Sequence, residues 1–141
     1  MGKCYNSTVV DASIDEVWEM IKDFHQLSWG DKVITKVDIV GEVSGTEVGA
    51  KRILNEAFHE TLLSVDNKNF SFTYSIDDGP GPVSKDSVSN YVGKVFLYPI
   101  TDSGKTFVEW ISTYDSDSDS AVGDFCNPIY AGLLSSLKSK F

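Results

Sequence analysis

Between residues 70 and 76, four large side chains (Phe70, Phe72, Tyr74 and Ile76) alternate with Ser71, Thr73 and Ser75. A period of two marks an extended strand with one buried face, so this stretch commits the chain to a sheet with an aromatic inner side. Residues 49–66 lead into it and also read as strands, setting Arg52 and Glu60 among apolar neighbours. A core built only for stability has little use for an arginine and a carboxylate, because burying charge is costly unless it is paired. Inward polar groups surrounded by aromatics are what a ligand cavity requires.

The chain fits one domain, residues 1–141, long enough to bury a substantial core. Its net charge of −9 argues against nucleic acid and anionic membrane surfaces as partners. No apolar run reaches the length of a membrane span and the N-terminus lacks a signal-peptide core. No membrane insertion and a cytoplasmic location are therefore expected. Cys4 and Cys126 stand near opposite ends with no motif around either, as two reduced thiols would. Met1-Gly2-Lys3-Cys4 resembles the opening of an acylated protein, but Asn6 occupies the place where that signal needs Ser or Thr.

Periodicity and punctuation give the order of elements. Residues 3–10 form a first strand. Ser13 and Glu16 make a capping box ahead of a short helix whose stripe is Ile14, Val17, Trp18, Ile21 and Phe24. A second short helical piece, 25–29, stops at Gly30. Strands follow at 35–40, 48–54, 58–65, 70–76, 88–100 and 105–114. Asp77-Asp78-Gly79-Pro80-Gly81-Pro82 opens a mobile loop, 77–88, placed to gate a pocket mouth. A long helix, 119–140, closes the chain, and Pro128 inside it is expected to kink it. Seven antiparallel strands with one long helix across their concave face satisfy this order: an α+β fold.

Several chemistries lack their residues. Asp115, Asp117 and Asp119 mimic the start of a calcium loop, but Ser120 replaces the required glycine and Cys126 the closing glutamate. Gly79-Pro80-Gly81 lacks the N–H groups a phosphate cradle must offer. His25 and His59 have no clustered ligands for zinc, and no nucleophile motif occurs. No metal and no cofactor are expected.

Parity settles only part of the site. A one-residue slip between strands 58–65 and 70–76 decides whether Glu60 or His59 shares the aromatic face, and the loop length allows both. On strand 88–100, Lys94 is best placed in water, so Tyr91, Gly93, Val95 and Leu97 face inward. Tyr91 then offers a hydroxyl to a ligand or is a satisfied core tyrosine. Strand 105–114 is mixed on both faces.

Four segments resemble the plant lachrymatory factor synthase and its microbial relatives: Val48-Gly49-Ala50-Lys51-Arg52, His59-Glu60-Thr61-Leu62, Asp66-Asn67-Lys68-Asn69 and Phe107-Val108-Glu109-Trp110. Over all 141 residues the order of elements is similar to the START-like, helix-grip (SRPBCC) superfamily. Polyketide cyclases, pollen-allergen-type carriers and plant hormone receptors belong to it. The resemblance implies a sheet wrapped around the C-terminal helix, with Glu60 and Trp110 facing inward. It assigns polar roles to Arg52, Glu60 and Tyr91, which are catalytic in the synthase, and it makes Lys36 a lesser candidate for anchoring a ligand. Phe70, Phe72, Tyr74, Val95, Trp110, Ile129 and Leu133 would wall the pocket. The implied function is binding of a small, largely apolar molecule. The alternative is a cofactor-independent cyclase or isomerase in which Glu60 moves a proton while Arg52 and Tyr91 hold an oxygen.

Overall fold

The computed structural model describes residues 1–141. Its elements run β1 (Gly2–Val10), α1 (Ile14–Ile21), β2 (Val37–Val40), β3 (Lys51–Leu54), β4 (Phe58–Asp66), β5 (Ser71–Asp78), β6 (Val88–Pro99), β7 (Thr106–Ser116) and α2 (Asp119–Lys138). All seven strands join one antiparallel sheet in the order β1-β7-β6-β5-β4-β3-β2. The chain thus meanders from β2 to β7, and β1 completes the sheet by pairing with β7 from Gly2↔Tyr114 to Val10↔Thr106. Helix α2 packs on the inner face. This is the helix-grip architecture that the order of elements implied.

Local chemistry explains where elements begin. Ser13 caps α1 by accepting from the Glu16 N–H at 3.3 Å, while its hydroxyl donates to the Glu16 carboxylate at 3.0 Å. The α1 stripe buries Val17, Trp18 and Ile21. The second short helical piece is a single 3-10 turn, Ser28–Gly30, which buries Trp29. Two glycines let the chain after it press against α2. A Cβ on Gly30 would lie 2.9 Å from Leu133, and one on Gly132 would lie 2.9 Å from Val33. Ser136 fastens the same contact, donating to the Trp29 carbonyl at 2.8 Å and accepting from the Lys32 N–H at 3.3 Å.

Strands β2 and β5 start later than the sequence pattern implied. The Asn55 carboxamide oxygen takes the N–H groups of Thr35 (2.8 Å) and Lys36 (3.2 Å), which keeps both residues out of the ladder ahead of β2. Phe70 has φ of 55°, a left-handed conformation unusual for an aromatic, so β5 starts one residue later at Ser71. The pairing of β4 with β5 is irregular at two places, between His59 and Glu60 and between Leu62 and Ser64.

The core is a single cluster dominated by aromatics. Trp18, Phe24, Phe72 and Tyr74 form one group of rings, and Trp110, Trp29 and, from α2, Tyr130 continue it. The segment expected to be a mobile gate is anchored instead. Val83 is fully buried. The Asp78 carboxylate also accepts from the N–H groups of Gly79 and Lys85, at 2.9 and 3.0 Å.

Candidate functional site

Between α2 and the sheet lies a cavity of about 160 Å³, lined by 15 residues, 12 of them hydrophobic. Strands β3, β4, β5 and β7 supply Arg52, Leu54, Phe58, Glu60, Tyr74, Ile76 and Trp110. Helix α2 supplies Cys126, Ile129, Tyr130 and Leu133, and the segment before β2 supplies Leu27, Val33 and Ile34. The spacing 126, 129, 130, 133 is one face of a helix. The half-buried members Val33, Asn55, Phe58, Ile76 and Ile129 form the rim.

One charged pair stands in this wall. Arg52 and Glu60 are direct cross-strand partners of β3 and β4, and both are buried. Arg52 Nε and Nη2 lie 2.8 and 2.7 Å from one oxygen, Glu60 Oε1. Nη1 donates to the Phe24 carbonyl at 2.8 Å, and the guanidinium sits 3.7 Å from the centre of the Phe24 ring. Every guanidinium nitrogen is therefore engaged. Glu60 Oε2 receives no hydrogen bond from the protein, yet no fully enclosed side-chain polar atom lacks a partner. Oε2 is thus not sealed in, and Glu60, like Arg52, lines the cavity. Burial pushes the Glu60 carboxyl above its ordinary value, and the Arg52 charge opposes this without cancelling it.

Behind the cavity runs a directional chain of hydroxyls. Trp110 Nε1 donates to the Tyr74 oxygen at 2.9 Å, and Tyr74 donates to Tyr130 at 3.4 Å. Tyr91 donates to Ser112 Oγ at 3.1 Å and also touches the Tyr130 hydroxyl. A phenol has one proton, so the Tyr130 proton must go to Tyr91. All three phenol protons are then used inside the protein. Burial raises all three hydroxyls above their ordinary range, which keeps them neutral. Burial likewise pushes the Cys126 thiol up to about 11.

The residues singled out in the sequence separate into two groups. Arg52, Glu60, Tyr74, Trp110, Ile129 and Leu133 line the cavity. Phe70, Phe72, Tyr91 and Val95 do not. Phe70, thrown out of β5 by its left-handed backbone, packs edge-on against Trp18, and Phe72 lies between Trp18, Phe24 and Tyr74. Tyr91 is buried but stacks on Tyr114, with ring centres 5.4 Å apart, and Val95 is sealed in the core. Lys36 is exposed and pairs with Glu56 and Asp38, away from the cavity. No residue of the 79–88 loop lines the cavity; the rim on that side belongs to 27–34. Nowhere do three His, Cys, Asp or Glu side chains group as metal ligands. No helix is long and apolar enough to cross a membrane. Both cysteines are free and buried.

Leu27, Val33, Ile34 and Asn55 escape sequence reading because they lie in irregular segments without periodicity. Cys126 and Tyr130 carry a signal, their i, i+4 spacing beside Ile129 and Leu133.

The whole chain, residues 1–141, matches the family model described as polyketide cyclase / dehydrase and lipid transport. No curated protein matches it. Among solved structures it is similar to a protein of Nitrosospira multiformis at 40% identity, with TM-score 0.96 over 99% of this chain and 95% of that one. It is also similar to the protein XoxI of Bacillus cereus at 25% identity, with TM-score 0.80 over 100% of this chain and 96% of that one. A Thermobifida fusca protein at 22% identity, with TM-score 0.81 over 99% and 93% of the two chains, shares the fold. A match over the full length, carried by a helix-grip sheet around α2, makes this chain a member of the polyketide cyclase / dehydrase and lipid transport family, within the START-like superfamily.

Proposed function

We propose that the chain binds a small, largely apolar molecule in the cavity between α2 and the sheet. The family's description spans chemistry and transport, and holding an apolar molecule is common to both. The observation that carries the reading is a mostly hydrophobic wall interrupted by one buried ion pair whose Glu60 Oε2 lacks a protein partner. The cavity leaves this oxygen open to a donor, water in the free protein or a polar group of the ligand in the complex.

A second reading, proton transfer by Glu60 within a cyclase- or isomerase-type reaction, is favoured by the same free oxygen and the raised carboxyl. Tyr91 has no part in it, since its ring is off the cavity and its proton is spent on Ser112. A developing negative charge would rest on Arg52.

The three indole N–H groups provide the test. Trp18 donates to Asn67 and Trp29 to the Gln26 carbonyl, while Trp110, the one on the cavity wall, donates to Tyr74. Titration of ¹⁵N-labelled protein with small aromatic molecules should shift the Trp110 indole resonance first and most. A response confined to Trp18, or none at all, would overturn the reading.

A further inference from the structure

We propose that the cavity selects a neutral molecule of about six to eight heavy atoms carrying one hydrogen-bond donor, an alcohol or a phenol. This deepens the binding reading above and rests on it. Three independent features meet here: volume, unspent hydrogen-bonding capacity and charge.

Volume comes first. A cavity of about 160 Å³ is far below the several hundred Å³ of a site for a large ligand. An apolar cavity of about 150 Å³ holds benzene, so one ring with a short substituent is the scale. Fused polycyclic compounds and long acyl chains exceed it. The space is also bounded by groups with little freedom to move aside. Trp110 is held by Tyr74, and Leu133 lies against Gly30, where even a Cβ would not fit.

The polar wall atom left without any protein partner is an acceptor. Arg52 gives its Nε and Nη1 hydrogens to Glu60 Oε1 and the Phe24 carbonyl, and its Nη2 rests against the same Oε1, so its charge is matched within the pair. The protons of Tyr74, Tyr130 and Trp110 are consumed within the hydroxyl chain. Asn55 spends its oxygen on the Thr35 and Lys36 N–H groups and donates to the Val33 carbonyl. Glu60 Oε2 remains, and it can only accept. A ligand that brings a donor supplies what this oxygen lacks.

Charge completes the selection. Arg52 and Glu60 are the only charged side chains on the wall, and they cancel. A carboxylate ligand would face the Glu60 carboxylate, and an ammonium would leave the buried site with net positive charge. Either must give up hydration that this wall does not replace.

A matched series on the parent protein tests this: toluene, benzyl alcohol, benzoate, benzylammonium and 1-dodecanol, each followed by the Trp110 indole shift and by calorimetry. A hydrogen bond to a charged acceptor predicts benzyl alcohol binding about 10- to 100-fold tighter than toluene. Benzoate, benzylammonium and 1-dodecanol should all bind more weakly than benzyl alcohol. Toluene at least as tight as benzyl alcohol refutes the donor requirement. A charged ligand as the tightest refutes neutrality, and 1-dodecanol as the tightest refutes the size limit. These results leave the binding reading intact, whereas no shift with any of the five sinks that reading itself. The doubly apolar variant Arg52→Met, Glu60→Leu should keep toluene binding and bring the benzyl alcohol to toluene ratio close to one. An unchanged ratio in that variant would mean that the donor's partner is not Glu60. The parent series decides the question even if that variant does not fold.

Discussion

Replacing Arg52 with methionine isolates what the buried pair costs and contributes. Methionine fills much of the arginine's volume but removes both contacts to Glu60 Oε1, the bond to the Phe24 carbonyl and the stacking on the Phe24 ring. Glu60 is then a buried carboxylate without a counter-charge, a loss of about 3–5 kcal/mol. For a domain of this length that corresponds to a fall in melting temperature of roughly 10–20 °C. The size of the loss depends on pH, and its direction follows from the Glu60 carboxyl. Burial already raises it in the parent, and loss of Arg52 raises it further. A carboxyl whose folded-state pKa exceeds its unfolded value binds more protons when folded over the interval between the two. Its contribution to stability is full below the ordinary value of 4.5 and is lost as pH rises through the folded-state value.

Arg52→Met should therefore lie closest to the parent in mild acid and diverge from it as pH rises toward 7. Thermal melts of both proteins from pH 4 to 8 measure this, read as the difference at each pH so that the other carboxylates cancel. Half-buried carboxylates such as Asp66 and Asp78, lowered by local hydrogen bonds, act in the opposite direction in both proteins. A variant melting within about 3 °C of the parent at pH 7, or a deficit that does not change with pH, would refute the argument that Glu60 is an ionised group in a desolvated site.

Three further outcomes follow from packing and burial. Gly93→Ala would put a Cβ 2.2 Å from the Tyr74 ring, so it should cost about 1–3 kcal/mol and move the Trp110 indole resonance, whose acceptor is Tyr74. Ser136→Ala leaves the Trp29 carbonyl and the Lys32 N–H without their shared partner; a loss of about 1–3 kcal/mol is expected in chemical denaturation, with faster amide exchange in residues 30–34. Cys4 and Cys126 should resist Ellman's reagent at pH 8 in the native protein and both react after unfolding, since both are buried and the Cys126 thiol is pushed up to about 11.

The architecture was legible because it rests on period and punctuation. The Phe72, Tyr74, Ile76 alternation and the Ser13–Glu16 cap are local signals, and each sits in the element its spacing implies. What was not legible depends on backbone geometry that side-chain patterns do not encode. Phe70 belongs to the alternation by sequence but not by conformation, since a single left-handed residue removes it from β5. Tyr91 has the expected inward parity, yet parity does not say what an inward hydroxyl meets, and this one meets Ser112 and Tyr130. The rim at 27–34 is held by Gly30, Gly132 and Ser136, contacts between residues about 100 positions apart that no local window contains.

The position of Glu60 turns on one inserted residue. Asp66 pairs with Ser71 across the turn at 67–70, and counting back gives Val65 opposite Phe72 and Ser64 opposite Thr73. An unbroken ladder would continue with Leu63 opposite Tyr74 and Thr61 opposite Ile76, leaving Glu60 opposite Asp77. Residues directly opposite share a face, so Thr61 would then point into the cavity and Glu60 into solvent. Instead the register shifts between Leu62 and Ser64, with Leu62 opposite Tyr74 and Glu60 opposite Ile76. Leu63 is the residue left over, and it is 43% exposed, a high value for a leucine within a strand. The bulge thus exposes one leucine and brings a carboxylate inside, opposite Arg52 on β3. Both exchanges cost stability on their own. They are offset because the inward carboxylate meets Arg52, already braced by the Phe24 carbonyl and ring.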